Sequence, residues 1–513
     1  MGKIGMPGSD LSLRRRLANA VPGVLSWAII LTTVLGVIFF PGPWLVIVTL
    51  FLVVIIARML LMLYGTVAGE LRIHKWTRTD WVIGEDEVRP ATGLRPSDVR
   101  HVVFVPNYRE PADVVERALD ALAQQHRASE RLIVVLALEG REPGAEAKGR
   151  RLLKKFDESF LATLVTVHPG GLPGELAGKS SNLFWAAPRA AELVDELGID
   201  PDVVTMSACD SDSVFHPDYF AALSRLFAED ADRFKRFWHA PMRYYNNLRR
   251  VPYLLRLDLM FVHSGQMALL SIPNLSALPI STYSLSLRLA EEAGWWDPGV
   301  IAEDWHMFLR SYLTKRGDVE TVGIYLPTLS DIIEGETLSA ALRARYNQVL
   351  RHAWGAEDVG YLIVALPGSD VPRHKKAYIL GYVLHDHVLR AVIFLILLSG
   401  TLLTWEVGFT HNISLIWYWW QVGWLMRGLY LTASSIFIST IVLEVYRRHS
   451  VVEGPLYLLL AETVGSWIFL PFVGIFAGWL PAVHAQTKLM LGMPLHWQVA
   501  PKKLAPAPSP TRS

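Results

Sequence analysis

The sequence predicts an α/β domain with a mostly parallel sheet, carried between helical transmembrane segments at both ends of the chain. Three observations predict it. From about Val82 to Gly360, short apolar runs alternate with helical patterns, as strand-helix-strand units require. Charge-free stretches flank that region on both sides. Hydrophobic residues make up 51% of the 513 residues and charged ones only 19%, a low share for a soluble chain. The formal net charge of +1 provides no global field for nucleic acid. The single cysteine, Cys209, excludes an intramolecular disulfide.

A cytosolic segment is expected over residues 1–20. Leu17 to Ala57 carries no charge, and its Pro41-Gly42-Pro43 centre is a turn signal. Each half approaches the ~20 residues that cross a bilayer, so a transmembrane hairpin is expected over residues 21–64. A cleaved signal peptide is the rival reading, because Arg14, Arg15 and Arg16 come first; the second apolar run and the missing small-residue cleavage site oppose it. Those arginines and Arg58, Arg72, Lys75 and Arg78 assign both flanks of the hairpin to the cytosol.

The soluble domain is expected over residues 82–340. His101 to Val105, Leu132 to Leu138, Leu164 to Val167 and Val203 to Ala208 read as buried strands, and Val115, Ala118, Leu119 and Leu122 as one helix face. Ligands of such sheets bind beyond the carboxyl ends of the strands. Interfacial amphipathic helices follow over 341–376, then C-terminal transmembrane helices over 377–485. Ala391 to Trp405, Gly428 to Leu443 and Thr463 to Val483 are the apolar runs there, giving five segments in all, give or take one, with Pro471 a possible re-entrant turn. Trp417, Trp419, Trp420 and Trp424 suit a headgroup-level belt. The tail, 486–513, is expected to be partly disordered. The whole reads as a multi-pass protein of the plasma (cell inner) membrane, lipid-facing, with its soluble domain cytosolic and no nucleic-acid partner.

Five short patterns carry chemistry. Asp210-Ser211-Asp212 follows a strand directly, so two carboxylates can face one hard cation, Mn²⁺ or Mg²⁺. Asp-x-Asp also occurs in ordinary solvated turns. Glu303-Asp304 offers a separate acidic pair for proton abstraction, or simply a first helical turn favoured by the dipole. Gln348, Arg351 and His352 share a helix face, with Trp354 beyond; a guanidinium can grip phosphate and an indole can stack on a sugar, although an interfacial helix with a snorkelling arginine fits the same pattern. Gly178 to Leu183, with Lys179, can bring amides and a point charge to phosphate. Val105-Pro106-Asn107-Tyr108-Arg109-Glu110 ends the first strand, where a nucleotide base would sit.

In this order the five resemble the family-2 glycosyltransferases, specifically the membrane-integrated branch with cellulose and hyaluronan synthases. The resemblance spans roughly Val82 to Trp354. It implies an A-type glycosyltransferase fold and inverting transfer from a nucleoside-diphosphate sugar to a glycan or lipid-linked acceptor. It places the nucleotide sugar against Pro106, Tyr108, Glu110, Lys179, Asp210, Gln348, Arg351 and Trp354. Asp210 and Asp212 correspond to the metal motif, and Glu303-Asp304 to the catalytic pair, with Asp304 the base. By the same analogy Thr282, Trp295 and Trp296 line the acceptor side, the two tryptophans being equally readable as core aromatics. Three departures stand out. Glu139 stands where the family has an Asp-rich turn, Ala302 replaces the threonine of the base motif, and His352 replaces the tryptophan of the synthases. Polysaccharide synthesis, single-sugar transfer to a lipid, and nucleotide-sugar sensing without turnover are the readings left to decide.

Overall fold

A computed structural model describes residues 8–248, 251–272, 277–410, 413–449 and 455–494. Of the expected tail, residues 486–494 lie within them, and the Leu480–Leu491 helix continues into it; the remainder, with Lys502 and Lys503, lies outside the described residues.

Seven strands form the main sheet: β1 (Arg100–Asn107), β2 (Leu132–Glu139), β3 (Ala162–His168), β4 (Val204–Ala208), β5 (Arg236–His239), β7 (Tyr283–Ser286) and β8 (Glu320–Gly323). Their order is β3-β2-β1-β4-β7-β5-β8, and β6 (Met242–Arg243) pairs separately with β9 (Thr328–Leu329). β3, β2, β1 and β4 are parallel. β7 runs antiparallel to both β4 and β5.

The four strands read from the sequence are the parallel half. Both faces of that half are covered, which is why they are continuous apolar runs. Val102 and Phe104 of β1 pack into one core, with Leu183 and Ala187 of the Lys179–Glu196 helix. Val103 and Val105 point to the other, with Val115, Leu119 and Leu122 of the Ala112–Ala123 helix. β7 is not among the four strands the sequence predicts, and it begins just after Thr282, which the resemblance places on the acceptor side. Its serines hid the strand. Ser284 and Ser286 are fully buried, and Ser284 Oγ is 2.7 Å from Ser207 Oγ of β4, so the polar atoms are satisfied inside the sheet.

Among the described residues four helices are long and apolar enough to cross a membrane, with candidate spans Leu13–Phe39, Pro41–Trp76, Arg373–Glu406 and Leu415–Arg448. The break between the first two falls at Phe40, beside Pro41-Gly42-Pro43. The aromatic belt lies within the Ile413–His449 helix, with Trp417, Trp420 and Trp424 exposed. Thr463 to Val483 is not one helix. A tight turn at Trp467–Phe469 and a wide one at Ile475–Trp479 break it around Pro471.

The Pro41–Trp76 helix ends deep in protein. Added Cβ atoms at Gly65 and Gly69 would fall 2.9 Å from the Ala268 backbone and 2.3 Å from Met267 Sδ, so the Tyr253–Ser271 helix lies hard against it. Past that contact Glu70 accepts from Arg243 and pairs with Arg447, each at 2.8 Å, and Arg72 donates to the Tyr325 hydroxyl at 2.5 Å.

Candidate active site

Parallel strands put their carboxyl ends at one edge of the sheet. Because β7 is antiparallel to β4, its first residue, Tyr283, lies opposite Ala208, the last of β4. The loop before β7 therefore meets the loop after β4. Ser281 occupies that loop at φ +60, a backbone state uncommon for a residue with a side chain. It joins three site groups. Its amide donates to Asp304 Oδ2 at 2.9 Å, its hydroxyl donates to Asp210, and its carbonyl accepts from Lys179 Nζ at 2.5 Å.

Lys179 is the first residue of its helix, and its ammonium also reaches Asp210 Oδ1 at 3.0 Å and Glu303 Oε1 at 2.9 Å. Burial would depress its pKa; the facing Asp210 and Glu303 carboxylates outweigh burial and hold it well above the ordinary lysine value. Glu303 opens the Glu303–Thr314 helix. Burial pushes its carboxyl up to about 7, against the pull of Lys179. Burial also raises Asp304, whose oxygens accept from the Ser281 amide and, at 2.8 Å, from the Trp305 amide. Asp212 is buried and accepts from the Asp331 amide at 3.0 Å. Asp331 in turn is gripped by both its oxygens, each 2.7 Å from Arg117 Nη2.

Arg351 comes to this edge on the Leu338–Trp354 helix. Burial lowers its pKa, opposed by Asp210 and then Glu110, the two carboxylates it faces. Asp210, Asp212, Glu303, Asp304, Lys179, Arg351 and Glu110 thus share one end of the sheet. Tyr108 is half-buried there, with the Arg141 and Arg109 guanidiniums 4.4 and 5.1 Å from its ring centre. Its amide donates to Glu110 at 2.7 Å. Pro106 lies inside β1 opposite Ala137, and contributes backbone rather than a contact surface. Glu139 is buried and bound to Arg141, so it reaches a nucleotide only if that pair opens.

The structure places the remaining candidates as follows. Trp354 is buried among the membrane helices with Trp44 and Leu350, because it follows Arg351 by three positions but turns towards the apolar bundle. Trp296 is fully buried and donates to the Tyr283 hydroxyl at 2.7 Å, a core aromatic with a satisfied N–H. Thr282 is also buried, its hydroxyl 3.0 Å from Ser213 Oγ, and cannot touch an acceptor. Gln348 accepts from Arg345 Nη1 at 2.5 Å; Arg345, itself bonded to Asp258, was absent from the sequence reading. Trp295 is half-buried at φ +63 against the same core as Trp296. His352 is exposed on the Leu338–Trp354 helix, next to Arg351.

The oxygen groups of Asp210 and Asp212 suit a hard divalent cation in kind. Among the described residues no three His, Cys, Asp or Glu side chains form a ready cage, so phosphate oxygens or water would complete the shell.

Residues 208–438 match the model of the family described as Glycosyl transferase family group 2. No curated protein sequence matches the chain. Among solved structures, the mannosyltransferase PcManGT from Pyrobaculum calidifontis, in complex with GDP-Man and Mn²⁺, is 16% identical over 83% of this chain and 98% of its own, with a TM-score of 0.44. TarS 1-349 of S. aureus, in complex with UDP-GlcNAc, is 15% identical over 56% and 72%, at 0.34. Glucosyl-3-phosphoglycerate synthase from Mycobacterium tuberculosis, with UDP, is 15% identical over 58% and 87%, at 0.32. The chain thus combines a mixed seven-stranded sheet, a segment similar to that glycosyltransferase family, and helices long and apolar enough to span a membrane. The matched segment is similar to a glycosyltransferase family over somewhat less than half of the chain.

Proposed function

We propose that the protein is an inverting glycosyltransferase moving a sugar from a nucleoside-diphosphate sugar to a membrane-associated acceptor at the cytosolic face of the cell membrane. The observation that carries this reading is Ser281, which holds the Asp304 carboxylate and the Asp210 carboxylate at once. Inversion needs two acidic functions close together but separate: one to take a proton, one on the leaving-group side. Asp304, raised by burial, takes the proton from the acceptor hydroxyl as that oxygen attacks the anomeric carbon. Lys179 and Arg351 face the departing diphosphate as fixed cations. Asp210 and Asp212 would hold Mn²⁺ or Mg²⁺, which supplies charge neutralisation to the diphosphate when bound.

The test is diphosphate release in lipid nanodiscs, with UDP-, GDP- and dTDP-sugars, Mn²⁺ or Mg²⁺, and chelator. Metal-dependent release with one donor, lost in Asp304→Asn while nucleotide binding persists, is the expected result; unchanged turnover of that variant removes Asp304 from the role. Tight donor binding without release by the wild type would instead support a sensor.

Two acceptors fit the reading, a growing polysaccharide or a lipid. His352, where the synthases have tryptophan, and the buried Trp354 favour single transfer to a lipid acceptor. A short product extractable into organic solvent supports that version, and a long, unextractable one supports polymer synthesis.

A further inference from the structure

His306 lies two residues beyond Asp304 on the same helix, with its ring buried. Its Nδ1 is 2.6 Å from Asp358 Oδ1, and its Nε2 is 3.4 Å from Asp297 Oδ2. Each carboxylate leads elsewhere. Asp358 belongs to the Glu357–Ala365 helix, which packs on the first candidate span so closely that a Cβ at Gly360 would fall 1.9 Å from Asn19 Oδ1. That helix also accepts the Ile301 amide through Glu357 at 3.3 Å, just before the base helix begins. Asp297 leads to the phosphate side: its carbonyl accepts from Ser180 Oγ at 2.5 Å, next to Lys179.

We propose that His306 is a positioning residue for the transfer step, a buried clamp that fixes the helix carrying Asp304 to the Glu357–Ala365 helix, which packs on the first candidate span. The proposal rests on the reading of Asp304 as base. A helix N-terminus packed only by apolar contacts can slide by fractions of an ångström; one hydrogen-bonded through Nδ1 to Asp358 and ion-paired through Nε2 with Asp297, on separate elements, is held, and its carboxylate keeps one aim. Pairing with both carboxylates needs the charged imidazolium, with Nδ1 hydrogen-bonded to Asp358 and Nε2 facing Asp297 as a charge pair. The groups facing the ring or its carboxylates are Asp358, Asp297 and Tyr361, with Glu357, Arg310 and Arg15 further out. Burial would lower His306; Asp358 and Asp297 overcome it and raise it to about 9. A raised cation gives its full contribution below the unfolded value of 6.5 and loses it as pH rises through the folded value, so the ring stays largely charged at neutral pH and the clamp opens near 9.

The experiment measures kcat and donor KM from pH 6 to 10 for the wild type, His306→Gln and Asp358→Asn in nanodiscs, with Asp304→Asn alongside. Expected is a wild-type kcat that declines as pH passes about 9 with donor KM steady. Both clamp variants should lose roughly tenfold to a hundredfold in kcat, as a misplaced reacting group does, with donor KM unchanged and the decline near 9 gone. A flat wild-type profile through 9, unchanged kcat in the variants, or a loss carried by donor KM overturns the clamp. Where His306→Gln fails to fold, Asp358→Asn and the wild-type profile decide. An active Asp304→Asn would overturn the base reading itself; an inactive one beside normal clamp variants would overturn the clamp alone.

Discussion

At the scale of single residues, the site is held by side chains whose partners lie far away in sequence. Ser281 bonds Asp210 across 71 positions and Asp304 across 23. Ser281→Ala removes one hydrogen bond to a charged group, which is worth about 1.5–3 kcal/mol. Turnover should fall by about tenfold or more, with the apparent metal affinity weakened; titrating Mn²⁺ against diphosphate release checks both. Ser281→Val adds a β-branched side chain at φ +60 and should be worse than Ser281→Gly in thermal stability. Glu303 gives a pH prediction. Its carboxyl is raised to about 7, so its contribution to stability is full below the unfolded value of 4.5 and is lost as pH rises to about 7. Melting in nanodiscs should therefore lose stability across that window, and Glu303→Gln should flatten the slope. Asp210, Asp212, Asp304 and Lys179 were readable because each stands at a strand or helix end whose pattern is local. Ser281 and His306 were not, since nothing within a few residues of either distinguishes them; their meaning comes from the fold.

At the scale of elements, the Leu338–Trp354 helix has two ends with different duties: Arg351 faces carboxylates, and Trp354 anchors among Trp44, Leu350 and Ala353. Trp354→Ala should cost about 3–5 kcal/mol, as large-to-small changes in cores do. A lowered melting temperature with donor affinity retained in the surviving folded protein checks it. The parallel strands were legible because both faces are buried and the apolar runs are unbroken. β5 and β7 were not: each has four residues, and β7 is half serine. The break in Thr463 to Val483 was signalled only by its prolines and glycines, which in a membrane segment are compatible with a straight helix as well.

At the scale of the molecule, the proposed cytosolic placement rests on the basic residues flanking the apolar runs. Cys209 makes it easy to test. It is the only cysteine, it is buried, and burial pushes its thiol pKa well up, so it stays silent to labelling. Asp157→Cys, at an exposed position, should react with an impermeant maleimide in inside-out vesicles and not in intact cells. The reverse pattern would turn the protein over.

The second membrane helix has a mechanical consequence. At 36 residues it is about 54 Å long, while a hydrocarbon core is about 30 Å thick, so roughly 24 Å of rigid shaft stands outside the lipid. The shaft is wedged by Gly65 and Gly69 against a neighbouring helix and pinned at its foot through Glu70 and Arg72. Such a mast does not tilt alone. A thinner bilayer that leans it over must either swing the sheet with it or prise the glycine seam apart.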